Sequence, residues 1–455
     1  MKINKLLTIL SLVLLPALAT AQGWVQDTTF VPAEGDTFFE VHGVAVDGEG
    51  KIWVQPYYAT ETIIATRDVD GSGDLDTLST RAVYVYNADG TPADFSPLLV
   101  IEWDDDTPAD TLGTVWIDDH YEGYSGRGIE ADYNGDIIIS SWNRMFKVDH
   151  TTGKGMAKVE VGIGSLTEAT TDMEGNIYVS AVVGTDAPIV KFDSNLENPE
   201  TILTMTGSYS RDLQISPDGN TIWYAGYTLG AVLQYTRPDE FSGFTATPDT
   251  VLRGMKVESF DIHPSTGYLW VGSGSLNDVP DAPWNPQTWY AFDYSDIASA
   301  TPLDSIHWVA GADISGGFDQ ARPRGLDFSA DGATAYVGVF SGIETDVDFQ
   351  VFTTDQVFIS VENELDAPES FKLQQNYPNP FNPTTNINYT VSSAGPVTLK
   401  VYDLTGREVA TLVNSPLTAG DYTATFNATG LSSGVYIYAL ESNGVRLTNK
   451  MTLLK

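Results

Sequence analysis

The sequence predicts an all-β protein: a six-bladed β-propeller followed by a C-terminal Ig-like β-sandwich. Three observations point there. A strand–turn–strand unit recurs six times between residues 40 and 361. Short alternating strands with glycine turns fill residues 371–455. The charge also breaks sharply between these regions. The 455-residue chain carries a net charge of −38, yet from Asp366 onward it has six acidic and six basic residues, leaving 55 acidic against 17 basic before that point. The expected organisation is a leader at 1–21, a propeller at 22–361, a linker at 362–370 and a sandwich at 371–455.

The repeating unit is a short β-rich strand, a tight turn and a second strand. The first copy runs His42–Val54 around Asp47-Gly48-Glu49-Gly50, and the second runs Arg127–Ile139 around Asn134-Gly135. The third is Thr167–Val179, the fourth Arg211–Tyr224, the fifth Glu258–Val271 and the sixth Arg324–Val337. β-branched and aromatic runs favour strands, and Asp-Gly or Asn-Gly supplies the positive φ that a hairpin needs. Further strands such as Ala82–Tyr86, Met145–Val148 and Trp289–Phe292 extend each unit to about 40 residues, the size of a propeller blade. Wide gaps at 58–80 and 275–288 read as insertions. A seventh blade between 42 and 127 is the alternative, although no second turn motif supports it. Trp24–Val31 is expected to close the ring beside the last blade. On these repeats the central region resembles NHL-type and gluconolactonase-like propellers.

Aligning the repeats gives a column at the start of each inner strand: His42, Arg127, Thr167, Arg211, Glu258 and Arg324. Inner strands line a propeller's channel, so the column should ring one mouth. Three arginines and a histidine in so acidic a body form a positive focus for an anionic or polyhydroxylated ligand. The competing reading pairs each arginine with a nearby acid such as Glu130, Asp212 or Asp327. Gluconolactonase-like propellers hold a catalytic divalent metal on inner strands, and the resemblance would place its Asn where Arg324 stands, which argues against lactonase activity. The five histidines form no His-x-x-His pattern and no cysteine is present, so disulfides are excluded.

Asp68-Val69-Asp70-Gly71-Ser72-Gly73-Asp74-Leu75-Asp76 spaces oxygen ligands at alternate positions. It resembles an EF-hand or dockerin-type calcium loop. The expected Ca²⁺ ligands are Asp68, Asp70, Ser72, Asp74 (by its carbonyl) and Asp76, although Ser79 replaces the usual twelfth-position acid. Trp284, between prolines in the 275–288 insertion, is expected to be an exposed aromatic for sugar or peptide recognition. The acidic body repels nucleic acid and anionic membranes.

Targeting signals bracket the chain. Lys2 and Lys5, the apolar run Leu6–Leu15 and Ala19-Thr20-Ala21 read as a secretory signal peptide cut after Ala21. No other stretch is apolar enough to span a membrane. At the other end stand Asn376-Tyr377-Pro378-Asn379-Pro380-Phe381-Asn382-Pro383, Val401–Arg407, Gly434-Val435-Tyr436-Ile437-Tyr438 and Lys450–Lys455. This run resembles the C-terminal sorting domain of the bacterial type IX secretion system. The resemblance implies recognition by the outer-membrane type IX translocon. It also implies removal of the domain and attachment to surface lipopolysaccharide or release, on the outside of a Gram-negative cell. By motif, the signal residues are Asn379, Pro380, Phe381, Asn382, Gly434, Tyr436, Lys450 and Lys455. The resulting expectation is a secreted or surface propeller that binds an extracellular glycan or protein. The alternatives are a hydrolase acting on a carbohydrate or lactone, and a scaffold for surface assembly.

Overall fold

The computed structural model describes residues 23–30, 40–58, 61–64, 77–105, 107–117, 120–183, 186–206, 208–240, 242–278, 283–309, 321–340, 348–355, 372–376, 378–391, 395–403, 407–417, 420–442 and 445–455. The leader, the Asp68–Asp76 loop and the 362–370 linker lie outside these residues. The chain divides into two compact units, Met1–Phe358 and Ile359–Lys455.

The first unit is a β-propeller. Among the described residues, six antiparallel sheets of three or four strands follow one another, beginning at inner strands Val41–Val46, Gly126–Ala131, Thr170–Thr171, Leu213–Ile215, Ser259–Ile262 and Arg322–Phe328. Each inner strand pairs with the next strand in sequence, as the hairpin spacing requires. The inner strands meet in cyclic order. The Phe260 amide donates to Asp212 across one seam, the Ile129 amide to Glu168 across another, and the Val46 amide to Asp327 where the last sheet returns to the first. Closure uses the strand Trp24–Asp27, which pairs antiparallel with Phe349–Thr354 as the fourth strand of the last sheet.

A side chain stabilises each inner hairpin turn. Asp47, Asp132 and Asp172 each accept from backbone amides two and four residues on through Oδ1. Ser216, His263 and Ser329 occupy the same place in the later sheets, and each accepts from turn amides. These bonds satisfy turn donors that the ladder leaves unpaired. The blades pack through aromatic-rich cores, one joining Trp53, Ile129, Ile139 and Phe146 and another joining Trp270, Trp289, Phe328 and Phe352.

The second unit is a sandwich of two sheets. Lys372–Leu373, Thr384–Val391 and Gly420–Asn427 form one, and Glu408–Leu417, Gly395–Asp403, Gly434–Ser442 and Val445–Leu453 form the other. Alternation places Ile387, Tyr389, Leu399, Val401, Tyr438, Leu440 and Met451 in a single core.

Candidate functional site

A recurrent β-bulge builds the site. In the first sheet Val41 pairs with Pro56 and Gly43 with Gln55, which leaves His42 as the extra residue. The second sheet pairs Gly126 with Ser141 and Gly128 with Ser140, so Arg127 is the extra one. The sixth pairs Pro323 with Val339 and Gly325 with Gly338, so Arg324 is. A bulge re-aims the residue it carries and increases the local twist. Each bulged residue is followed by a glycine because the neighbouring inner strand presses against that spot. A Cβ on Gly43 would lie 2.6 Å from the Ile129 nitrogen, and one on Gly325 would lie 2.6 Å from Val44 Cγ2. Gln55 takes up the Gly128 amide through Oε1 and donates to the Ser140 carbonyl.

The bulged residues converge with Arg211 and Glu258. Arg324 Nη1 and His42 Nε2 are 2.9 Å apart, with the guanidinium donating. Arg324 Nε lies 2.7 Å from Glu258 Oε2, Arg322 Nε 3.6 Å from Oε1 and Arg211 Nε 3.9 Å from Oε2. Arg322 also approaches Asp278 at 3.4 Å. Three arginines, Arg211, Arg322 and Arg324, thus gather on Glu258, and Arg322 also reaches Asp278, in a chain of net charge −38.

A second set of residues, aromatics at the end of the second strand in four of the sheets, orders these cations. The Arg127 guanidinium lies 4.7 Å from the Trp142 ring centre and 5.3 Å from that of Tyr57. Arg211 lies 5.1 Å from Tyr227, and Arg324 lies 5.4 Å from Phe340. His42 stacks on Tyr57 with centroids 5.3 Å apart. Such cation–π shelves fix the plane of a guanidinium and leave its edge free. The sequence signal for this column was present, since Tyr57, Trp142, Tyr227 and Phe340 occupy equivalent repeat positions. Lys256 and Arg322 carry no such repeat signature.

Burial shapes the charges. His42 is held well below the ordinary imidazole range, first by burial and then by the charges of Arg324, Arg127 and Arg211, so it is neutral and can accept from Arg324. Burial lowers Arg324 to about 10 against the pull of Glu258. Burial raises Glu258 while Arg324, Arg211 and Arg322 oppose the shift. A divalent metal does not fit this donor set, because the buried carboxylate is already occupied by arginines. Among the described residues no group of three or more His, Asp or Glu could hold a metal ion.

Two sequence expectations need correction. Thr167 does not join the cluster: its Oγ1 accepts from the Ser180 amide, and its side chain is buried. Trp284 is 4 % exposed, with Nε1 donating to the Arg253 carbonyl and the ring packed on Tyr290 and Phe292. It is part of the blade core. The arginines also pair differently from the competing reading, gathering on Glu258 rather than on Glu130, Asp212 or Asp327.

The motif residues of the second unit divide into structural and exposed sets. Phe381 is buried in the core, and its backbone bonds to Thr452 and Leu454. Asn379 Oδ1 accepts from the Thr452 amide, and the buried Tyr436 donates its hydroxyl to the Ser432 carbonyl. Gly434 opens its strand with φ 159°. Pro380, Asn382, Lys450 and Lys455 are exposed.

Residues 375–453 match the secretion system C-terminal sorting domain. That domain marks proteins exported by type IX secretion to the cell surface or the extracellular space. No helix among the described residues is long and apolar enough to cross a membrane. No protein of curated function matches the chain. Among solved structures, a luciferin-regenerating enzyme is similar at 11 % identity over 73 % of this chain and 95 % of its own, with a TM-score of 0.46. A calcium-binding regucalcin from Agrobacterium tumefaciens is similar at 12 % identity over 73 % and 93 %, with a TM-score of 0.45.

Proposed function

We propose that the protein is an exported binding protein whose propeller takes a carboxylate-bearing extracellular ligand at the arginine-lined channel mouth, an acidic glycan being the best fit. The observation that carries this reading is Arg127. It is 6 % exposed, its Nε has no acceptor, and no carboxylate pairs with it among the described residues. A buried cation without a counter-charge is costly, and an incoming anion supplies what is missing.

The test is calorimetry of the mature protein with oligogalacturonate and with the carboxyl-reduced, neutral oligosaccharide. Binding should require the carboxylates, and Arg127→Ala should weaken it at least tenfold. Equal affinity of the wild type and the variant, or of the acidic and neutral sugars, would overturn the reading. Export should depend on the second unit, so a chain lacking residues 371–455 should stay inside the cell. Asp68–Asp76 remains our proposed Ca²⁺ loop.

A further inference from the structure

Beneath the basic mouth lies a layer of opposite charge. Glu130, Asp261 and Asp327 stand three residues beyond Arg127, Glu258 and Arg324 in the sequence, about 10 Å further at the rise of a strand. Glu168 and Asp212 join them from the third and fourth sheets. The five carboxyls feel one another across the channel: the charge of Asp261 acts on Glu130, those of Asp327 and Asp212 on Asp261, and those of Asp212 and Glu130 on Glu168. Glu130, Glu168 and Asp327 keep partial exposure although protein surrounds them, which marks them as channel lining.

Most of these oxygens have structural tasks. Asp212 accepts from the Leu213 and Phe260 amides, Asp327 from the Val46 and Phe328 amides, and Glu168 from the Ile129 amide. Asp261 differs. Its Oδ1 accepts from the Ile262 amide, but its Oδ2 is buried without any hydrogen-bond partner, on a residue 9 % exposed. An acceptor left bare among like charges calls for a cationic donor. No three of these acids are grouped to hold a metal ion. A cation with several diverging N–H donors can bridge carboxylates that a single ion cannot.

We infer that this inner carboxylate layer is a second ligand site, which takes a protonated amine of the diamine class through Asp261 and Glu130. Among the described residues, the titratable and charged groups around it are Glu168, Asp212 and Asp327, with Arg324 acting on Asp212 and with Tyr133 and Asp172 to one side. Because burial raises the acids, the site holds protons until the amine replaces them. Binding therefore releases protons.

The test is isothermal titration of the full mature protein with 1,4-diaminobutane and, separately, with CaCl₂, at physiological salt in two buffers of different ionisation enthalpy. The expected result is diamine binding with proton release, weakened at least tenfold by Glu130→Gln and by Asp261→Asn. Both variants replace a crowded buried acid by an amide of the same shape and should melt no lower than the wild type at pH 8. The inference is overturned if the wild type does not bind the diamine, if neither variant alters binding, or if only Ca²⁺ binds in an Asp261-dependent way. The wild-type titration decides even if a variant fails to fold.

Discussion

Gly128 sits at φ +139°, and a Cβ there would lie 2.5 Å from Glu168 Cβ. Gly128→Ala should therefore cost about 2 kcal/mol or more, read as a lower urea midpoint. It should also displace Arg127 and so reduce anion affinity. His263 gives a second test. Its Nδ1 accepts from the Ser265 and Thr266 amides and its Nε2 donates to the Gly332 carbonyl, so the ring must be neutral. Burial lowers its pKa. A group lowered in this way stabilises the fold above its unfolded pKa, and that contribution is lost as pH falls through the folded value. His263→Gln should remove the share of acid sensitivity that lies below about pH 6.5, measured by thermal melting across pH. At this scale the paired His/Arg-Gly motif was legible in the sequence. That Arg127 has no carboxylate partner among the described residues, and Asp261 Oδ2 no hydrogen bond, was not, because it depends on which neighbours the other sheets deliver.

Among the elements, the closing strand and the proline-rich segment carry the sharpest predictions. Trp24 donates Nε1 to Asp304 and packs edge-on against Trp270 and on Phe328. Trp24→Ala should destabilise the last sheet by roughly 2 kcal/mol, since a half-buried indole loses less than a fully buried one. Chemical denaturation of the propeller would show it. In the sandwich, the side chain of buried Asn376 donates to the Pro378 carbonyl and the Thr385 hydroxyl, and its backbone amide donates to the Tyr438 hydroxyl oxygen. Asn376→Ala should cost roughly 1–3 kcal/mol by stranding those partners, seen as a lower melting temperature of that unit. The turn chemistry of the six hairpins and the strand alternation made these elements readable in the sequence. The burial of Trp284 was not, because the Arg253 carbonyl that takes its indole N–H lies 31 residues away in the sequence.

The whole molecule should respond to pH through its channel. Burial pushes Asp212 and Asp327 up to about 7, and burial with mutual repulsion raises Glu130, Glu168 and Asp261. The folded state then binds more protons than the unfolded chain between about pH 4 and 7, so stability falls as pH rises through that window. Melting temperature should climb as pH drops from 8 toward 6, and Asp261→Asn should flatten the climb. A profile that rises with pH over that interval would contradict the crowded layer. The sequence by itself determined the repeat, its hairpins, the charge break and the export domain, because these are local patterns of periodicity, turn residues and motif order. Tertiary structure alone brought the basic residues and the buried acids of different inner strands together. Their charges come from separate sheets, and only ring closure brings such distant segments close enough to perturb one another.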